Sequence, residues 1–178
     1  MVTHLSDRKS RGIMNLTEEL SELTSKILKQ NPYVKRLLLG EECDNKPHHC
    51  ENWLQVEIAK RLSKVLLKDV FIEVKPYNLD ILIKQGCVSK GIEIKINGSA
   101  KDIEDDINNL TEFSNGTRTN QGYLLLLMLF KEKPCLEELL KRASVRWMDE
   151  VMKKQINPLW IKGQKRDRAL AIFCLEIK

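Results

Sequence analysis

Residues 79–96 read LDILIKQGCVSKGIEIKI. The aliphatic run Ile81, Leu82, Ile83 and the alternating Ile92, Ile94, Ile96 flank a short polar stretch containing Gly86, which predicts two strands, over 79–84 and 91–96, joined by a turn. Side chains two apart in a strand share a face, so Glu93 and Lys95 project together while the three isoleucines pack on the other side. A third β-like run, 70–75, precedes them across Pro76-Tyr77-Asn78, again close enough for an antiparallel hairpin.

Upstream, a helix is expected from Cys50 or Glu51 to about residue 67, with Leu54, Ile58, Leu62, Val65 and Leu66 as its apolar stripe. Residues 15–30 read as an amphipathic helix through Leu16, Leu20, Leu23 and Ile27, with a cap-like Asn15 three residues before Glu18. Asn31-Pro32 should end it, because a residue before proline is pushed out of the α region. The polar residues 40–49 then make a loop. Downstream, Ile103, Ile107 and Leu110 predict a helix over 99–113, and the unbroken apolar run 123–130 a fully buried strand. Residues 134–143 and 146–154 look helical, and 169–177 look like a last strand. This order places the chain in the α/β class. Residues 1–40 are expected to be an N-terminal extension whose helix packs on the core, and 41–178 a single domain.

The 178 residues suffice for one good core, and 42% hydrophobic with 31% charged residues is the make-up of a folded globular protein. The longest apolar run is too short to span a bilayer, so no membrane association is expected. Arg8, Lys9 and Arg11 are followed by no apolar stretch of the secretory kind, which points to a cytoplasmic location. Five scattered cysteines, an odd number, argue against a disulfide framework. The net charge of +5 is uneven: 7 basic and 4 acidic residues over 1–40, 11 and 14 over 41–130, and 12 and 7 over 131–178. Basic ends around an acidic middle suit a protein that brings carboxylates and a cation to a polyanion.

Asp80 begins the first of the two quoted strands, thirteen residues before Glu93. If the strands pair through the turn at 85–89, Asp80 reaches the end of the sheet where Glu93 lies. Two adjacent carboxylates repel, and a hard divalent cation relieves the repulsion. Mg²⁺, replaceable by Mn²⁺, would then be held by Asp80, Glu93 and the backbone carbonyl of Ile94. Lys95 would hold or help deprotonate one of the waters on the metal in the in-line hydrolysis of a phosphodiester. The bland alternative is a surface ion pair between Glu93 and Lys95, worth under about 1 kcal/mol. Against it stands the aliphatic character of both strands, since charges in central strands need partners. On the preceding helix Glu51 falls within the apolar stripe and Glu57 at its edge, so Glu51 is the better third carboxylate; the alternative is that it merely favours the helix N-terminus. Gln55, one turn on, shares that face and could bind a ligand or a water.

A helix carboxylate, then Asp80, then Glu93-Ile94-Lys95, followed by a helix and a buried strand, resembles the PD-(D/E)XK nuclease superfamily, the restriction-endonuclease-like fold. The resemblance covers about residues 50–130, and the segment Glu51-Asn52-Trp53-Leu54-Gln55-Val56-Glu57-Ile58-Ala59 looks like the first helix of several such families. Leu79 stands where the named motif has proline. The resemblance implies a mixed β-sheet flanked by helices and a metal-dependent DNA endonuclease in restriction, repair, recombination or defence. Asp80, Glu93, Lys95 and Glu51 would be catalytic, and a homodimer would suit the cutting of both strands. A catalytically silent nucleic-acid-binding or assembly module on the same fold is the alternative, and a small scaffold that binds a protein partner is a third reading.

Other clusters point less sharply. Cys43, His48, His49 and Cys50 lack usual zinc-ligand spacing and read as a polar loop. Asp102, Glu104, Asp105 and Asp106 sit on a helix without the glycine of a calcium loop and read as a solvated face. Lys162, Lys165, Arg166 and Arg168 form a basic stretch suited to phosphate contact or to solvent.

Overall fold

The computed structural model describes residues 16–39, 48–66, 69–75, 77–130, 159–162 and 168–177. Within them the chain runs α1 (Leu16–Gln30), α2 (Pro32–Leu38), α3 (His48–Leu66), β1 (Asp69–Val74), β2 (Leu79–Gln85), β3 (Val88–Ile96), α4 (Ala100–Gly116), β4 (Asn120–Phe130), β5 (Leu159–Lys162) and β6 (Ala169–Ile177). The six strands form one mixed sheet in the order β1-β2-β3-β4-β6-β5. The expected hairpins form, β1 with β2 and β2 with β3, both antiparallel. β3 and β4 are parallel, so the chain needs a crossover, and α4 supplies it.

Alternation along the strands separates two apolar layers. Ile92, Ile94, Leu125 and Leu127 pack with Leu20, Ile27, Leu54, Ile58 and Leu62 of α1 and α3, while Leu124 and Leu126 pack with Ile103, Ile107, Leu110 and Phe113 of α4. The sheet is therefore sandwiched between helices. β6 is buried along almost its whole length and β4 from Gly122 to Leu127, because both neighbours and both faces are covered there. No helix among the described residues is long and apolar enough to cross a membrane.

Four differences from the sequence reading have local causes. Pro32 does end α1, but it also opens α2, since the first turn of a helix has no use for the amide proton that proline lacks. α3 begins at His48, so the last two residues of the expected loop are helical. β3 and β4 each extend three residues further back, to Val88 and Asn120, where they begin pairing with their neighbours. β5 has no counterpart in the sequence pattern; four residues are too few for periodicity to register, and its place on the edge beside β6 comes from tertiary pairing. The expected helices over 134–143 and 146–154 lie outside the described residues.

An irregularity shared by β1 and β2 sets the position of Asp80. On β1, Val70 packs with the α1/α3 layer and Val74 with the α4 layer, although they have the same parity. On β2, Ile81 and Ile83 face α3 whereas Leu79 faces α4. Both strands change face across Glu73 and Asp80, and Glu73 carries the cost as a positive φ of 51° in a non-glycine residue. Asp80 is thereby left between the two layers.

Candidate active site

β2 and β3 pair from Gln85–Val88 down to Ile81–Ile92 and then part. Beyond that point the even-numbered residues of β3 turn their backbone groups toward a strand that is no longer there. Side chains fill the fork. Asp80 Oδ2 accepts the Ile94 N–H at 2.7 Å, and Glu51 Oε2, from the first turn of α3, accepts the Ile96 N–H at 3.2 Å. Gln55, buried one turn further along α3, donates from Nε2 to the Asp80 carbonyl at 2.7 Å. In a strand the N–H and C=O of one residue leave on the same edge, so the Ile94 carbonyl is also directed into the fork.

Glu93 and Lys95 project toward α4, on the face opposite Ile92, Ile94 and Ile96. Lys95 Nζ stands 3.1 Å from Asp106 Oδ2 of α4 and 3.8 Å from Glu51 Oε1 of α3. The ammonium thus joins the helices on the two faces of the sheet across its open end. Glu93 is only 5% exposed, and its Oε1 is buried without a hydrogen-bond partner. After burial, Asp80 is the strongest influence on its carboxyl and raises its pKa further.

The backbone that places α4 is specified locally. Asn97 adopts a positive φ of 51°, its N–H donates to the Leu127 carbonyl, and its Oδ1 accepts the Leu129 N–H at 2.7 Å. Asparagine tolerates that conformation better than most residues. Ser99 and Asp102 then form a reciprocal capping box that starts α4.

Electrostatically the fork is short of cations. Burial, then the charges of Asp80 and Asp106, pushes Glu93 up to about 9, so the isolated site holds a proton there at neutral pH. Asp80 is also raised, first by burial and then by Glu51, although its bond from the Ile94 N–H opposes the shift. Asp106 is raised by burial to about 6 despite its pairing with Lys95. Burial is the largest single influence on Lys95 and lowers its pKa, but Asp106, Glu51 and Asp80 together outweigh it and keep the ammonium charged.

The structure thus brings Asp80, Glu93, Lys95, Glu51 and the Ile94 backbone to one place. Glu57 lies away from it, pairing with Lys60 and Arg61 along α3. One expectation is sharpened and one changes. Gln55 places one of its amide N–H donors on the Asp80 carbonyl, and Asp106 does not belong to a solvated face. Asp106 is three residues after Ile103, four before Leu110 and seven before Phe113, all buried, and so falls inside the apolar stripe of α4. Extending the stripe to Phe113 is the signal that would have found it. Cys50 is a buried thiol, and Cys43 lies outside the described residues. Arg168 Nη1 donates to the Leu39 carbonyl at 2.9 Å, tying β6 to the end of α2. Among the described residues, no three His, Cys, Asp or Glu side chains form a ready-made metal cluster. Comparison with protein-family models, with curated proteins and with solved structures finds no match to this chain.

Proposed function

We propose that this chain is a metal-dependent nuclease of the PD-(D/E)XK kind, hydrolysing phosphodiester bonds in DNA. The observation that carries the reading is Glu93: a buried carboxyl with a partnerless oxygen, within the influence of a second carboxyl at the open end of a central strand. A carboxyl raised to about 9 by burial and by like charge is poorly stabilised as a structural element, and such groups cluster where chemistry is done.

The donor set fits a hard divalent cation. Asp80, Glu93 and the Ile94 carbonyl would hold Mg²⁺ or Mn²⁺, with Glu51 beside them, and two positive charges would satisfy the partnerless oxygen and the excess of carboxylates. Bound there, the ion supplies Lewis acidity toward a phosphate oxygen and makes a water easier to deprotonate. The chain's own groups do the rest. Lys95, kept cationic by its neighbours, donates hydrogen bonds to the attacking water or to a phosphate oxygen. Gln55 and the Ile94 N–H fix Asp80 from both ends, so that its carboxylate enters the site in one orientation.

The test is cleavage of plasmid, single-stranded and branched DNA by the purified protein with Mg²⁺ or Mn²⁺. Cutting is expected, with Asp80→Ala and Glu93→Ala losing about 10²–10³-fold or more and Lys95→Ala about 10²–10⁴-fold, all with the fold intact. A wild-type protein that leaves all three substrates intact in Mn²⁺ overturns the reading. Salt-dependent DNA binding without cleavage, indifferent to these substitutions, would instead identify a silent binding module.

A further inference from the structure

Lys95 sits on a flexible four-carbon stem, and a lysine ammonium unlike a guanidinium has no shape of its own to fix its direction. Something must aim it. On one side Asp106 Oδ2, buried and with no other partner among the described residues, forms an ion pair with Nζ at 3.1 Å, from a side chain only 14% exposed. On another, the stem lies on the bare Cα of Gly98: a Cβ there would be 2.6 Å from Lys95 Cγ and 2.8 Å from Cδ. Glu51 is the more distant partner at 3.8 Å. The nearest carboxylate to the ammonium therefore comes from α4, the crossover helix that neither Asp80 nor Glu93 belongs to.

We propose that Asp106 is a positioning residue for Lys95, holding its ammonium over the β2–β3 fork from the α4 side, with Gly98 leaving room for the stem. Its catalytic consequence rests on the nuclease reading; the geometry itself does not. Asp106 acts on the reaction chiefly through Lys95, although its charge also bears on Glu93. Without it the ammonium falls back on Glu51 and solvent, and the same charge arrives at the phosphate in the wrong place.

Two measurements on the full chain test this. In NMR of the lysine ammonium groups, without added metal, one slowly exchanging signal present in the wild type and absent from Lys95→Ala should disappear in Asp106→Asn, which keeps the shape and removes the charge. It should also shift or broaden in Gly98→Ala. In DNA cleavage with Mn²⁺, Asp106→Asn should lower kcat about 10–100-fold with little change in KM, and should cause no further loss when added to Lys95→Ala. A Lys95 signal that survives Asp106→Asn, or no such signal in the wild type, overturns the proposal, as does a loss that adds in full to that of Lys95→Ala. If the wild type cuts no DNA, the nuclease reading fails, and the NMR result alone decides whether Asp106 holds Lys95.

Discussion

The two ends of the β2–β3 pair solve the same problem in opposite ways. Near the turn, from Ile81–Ile92 to Gln85–Val88, each strand's backbone groups are met by the other strand, and the side chains there need only suit their surroundings. At the parted end the partners are the carboxylates of Asp80 and Glu51 and the amide of Gln55. Backbone pairing is indifferent to sequence, whereas side-chain pairing is not. The open end is therefore where substitutions should be felt, and where polar chemistry can be held in a sheet without leaving backbone groups unsatisfied.

The sharpest way to break this contrast is through Glu93. A glutamate in the unfolded chain gives up its proton near 4.5, whereas in the folded protein it holds it up to about 9. Between those values the folded state binds more protons, so stability falls as pH rises, with a slope on the order of 1 kcal/mol per pH unit. Glu93→Gln should remove that component. In urea titrations from pH 5 to 8.5 without metal, the variant should overtake the wild type as pH increases; parallel profiles would show that Glu93 is not strained.

A smaller effect is expected from Gln55→Ala. The Asp80 carbonyl would lose its donor in a part-buried position, costing about 1–3 kcal/mol by denaturation. An unchanged midpoint would mean that water replaces the amide without loss. Smallest of all should be Cys87→Ser at the turn, where the side chain is exposed and the adjacent Gln85–Val88 pair is formed by backbone. Its stability should stay within about 0.5 kcal/mol of the wild type, and a larger change would contradict the idea that the turn end tolerates substitution.

Much of this arrangement was legible because period-2 and period-3.6 patterns are written in single residues. Ile92, Ile94 and Ile96 assign Glu93 and Lys95 to one face, and the stripe Leu54, Ile58, Leu62 turns Glu51 rather than Glu57 inward. What was not legible depends on partners distant in the chain. Asp106 looks like one more acid in an acidic run until Lys95 is placed opposite it. Gln55 reads as free to take a ligand because nothing local reveals that β2 turns its Asp80 carbonyl toward α3. The reversal of face at Glu73 and Asp80 was invisible for a related reason: alternation assumes a regular strand, and a positive φ in a glutamate has no residue signature.

The place of β6 has a consequence for how the chain is made. It lies between β4 and β5 and pairs with β4 over nine positions, from Gly122–Ile177 to Phe130–Ala169. During synthesis, at about 5–20 residues per second, the hydrophobic edge of β4 around Leu124 to Leu127 must wait for a partner that emerges some fifty residues later. In that interval it is an open strand of the kind that pairs with other chains. The nascent protein is thus most exposed to aggregation just before β6 arrives.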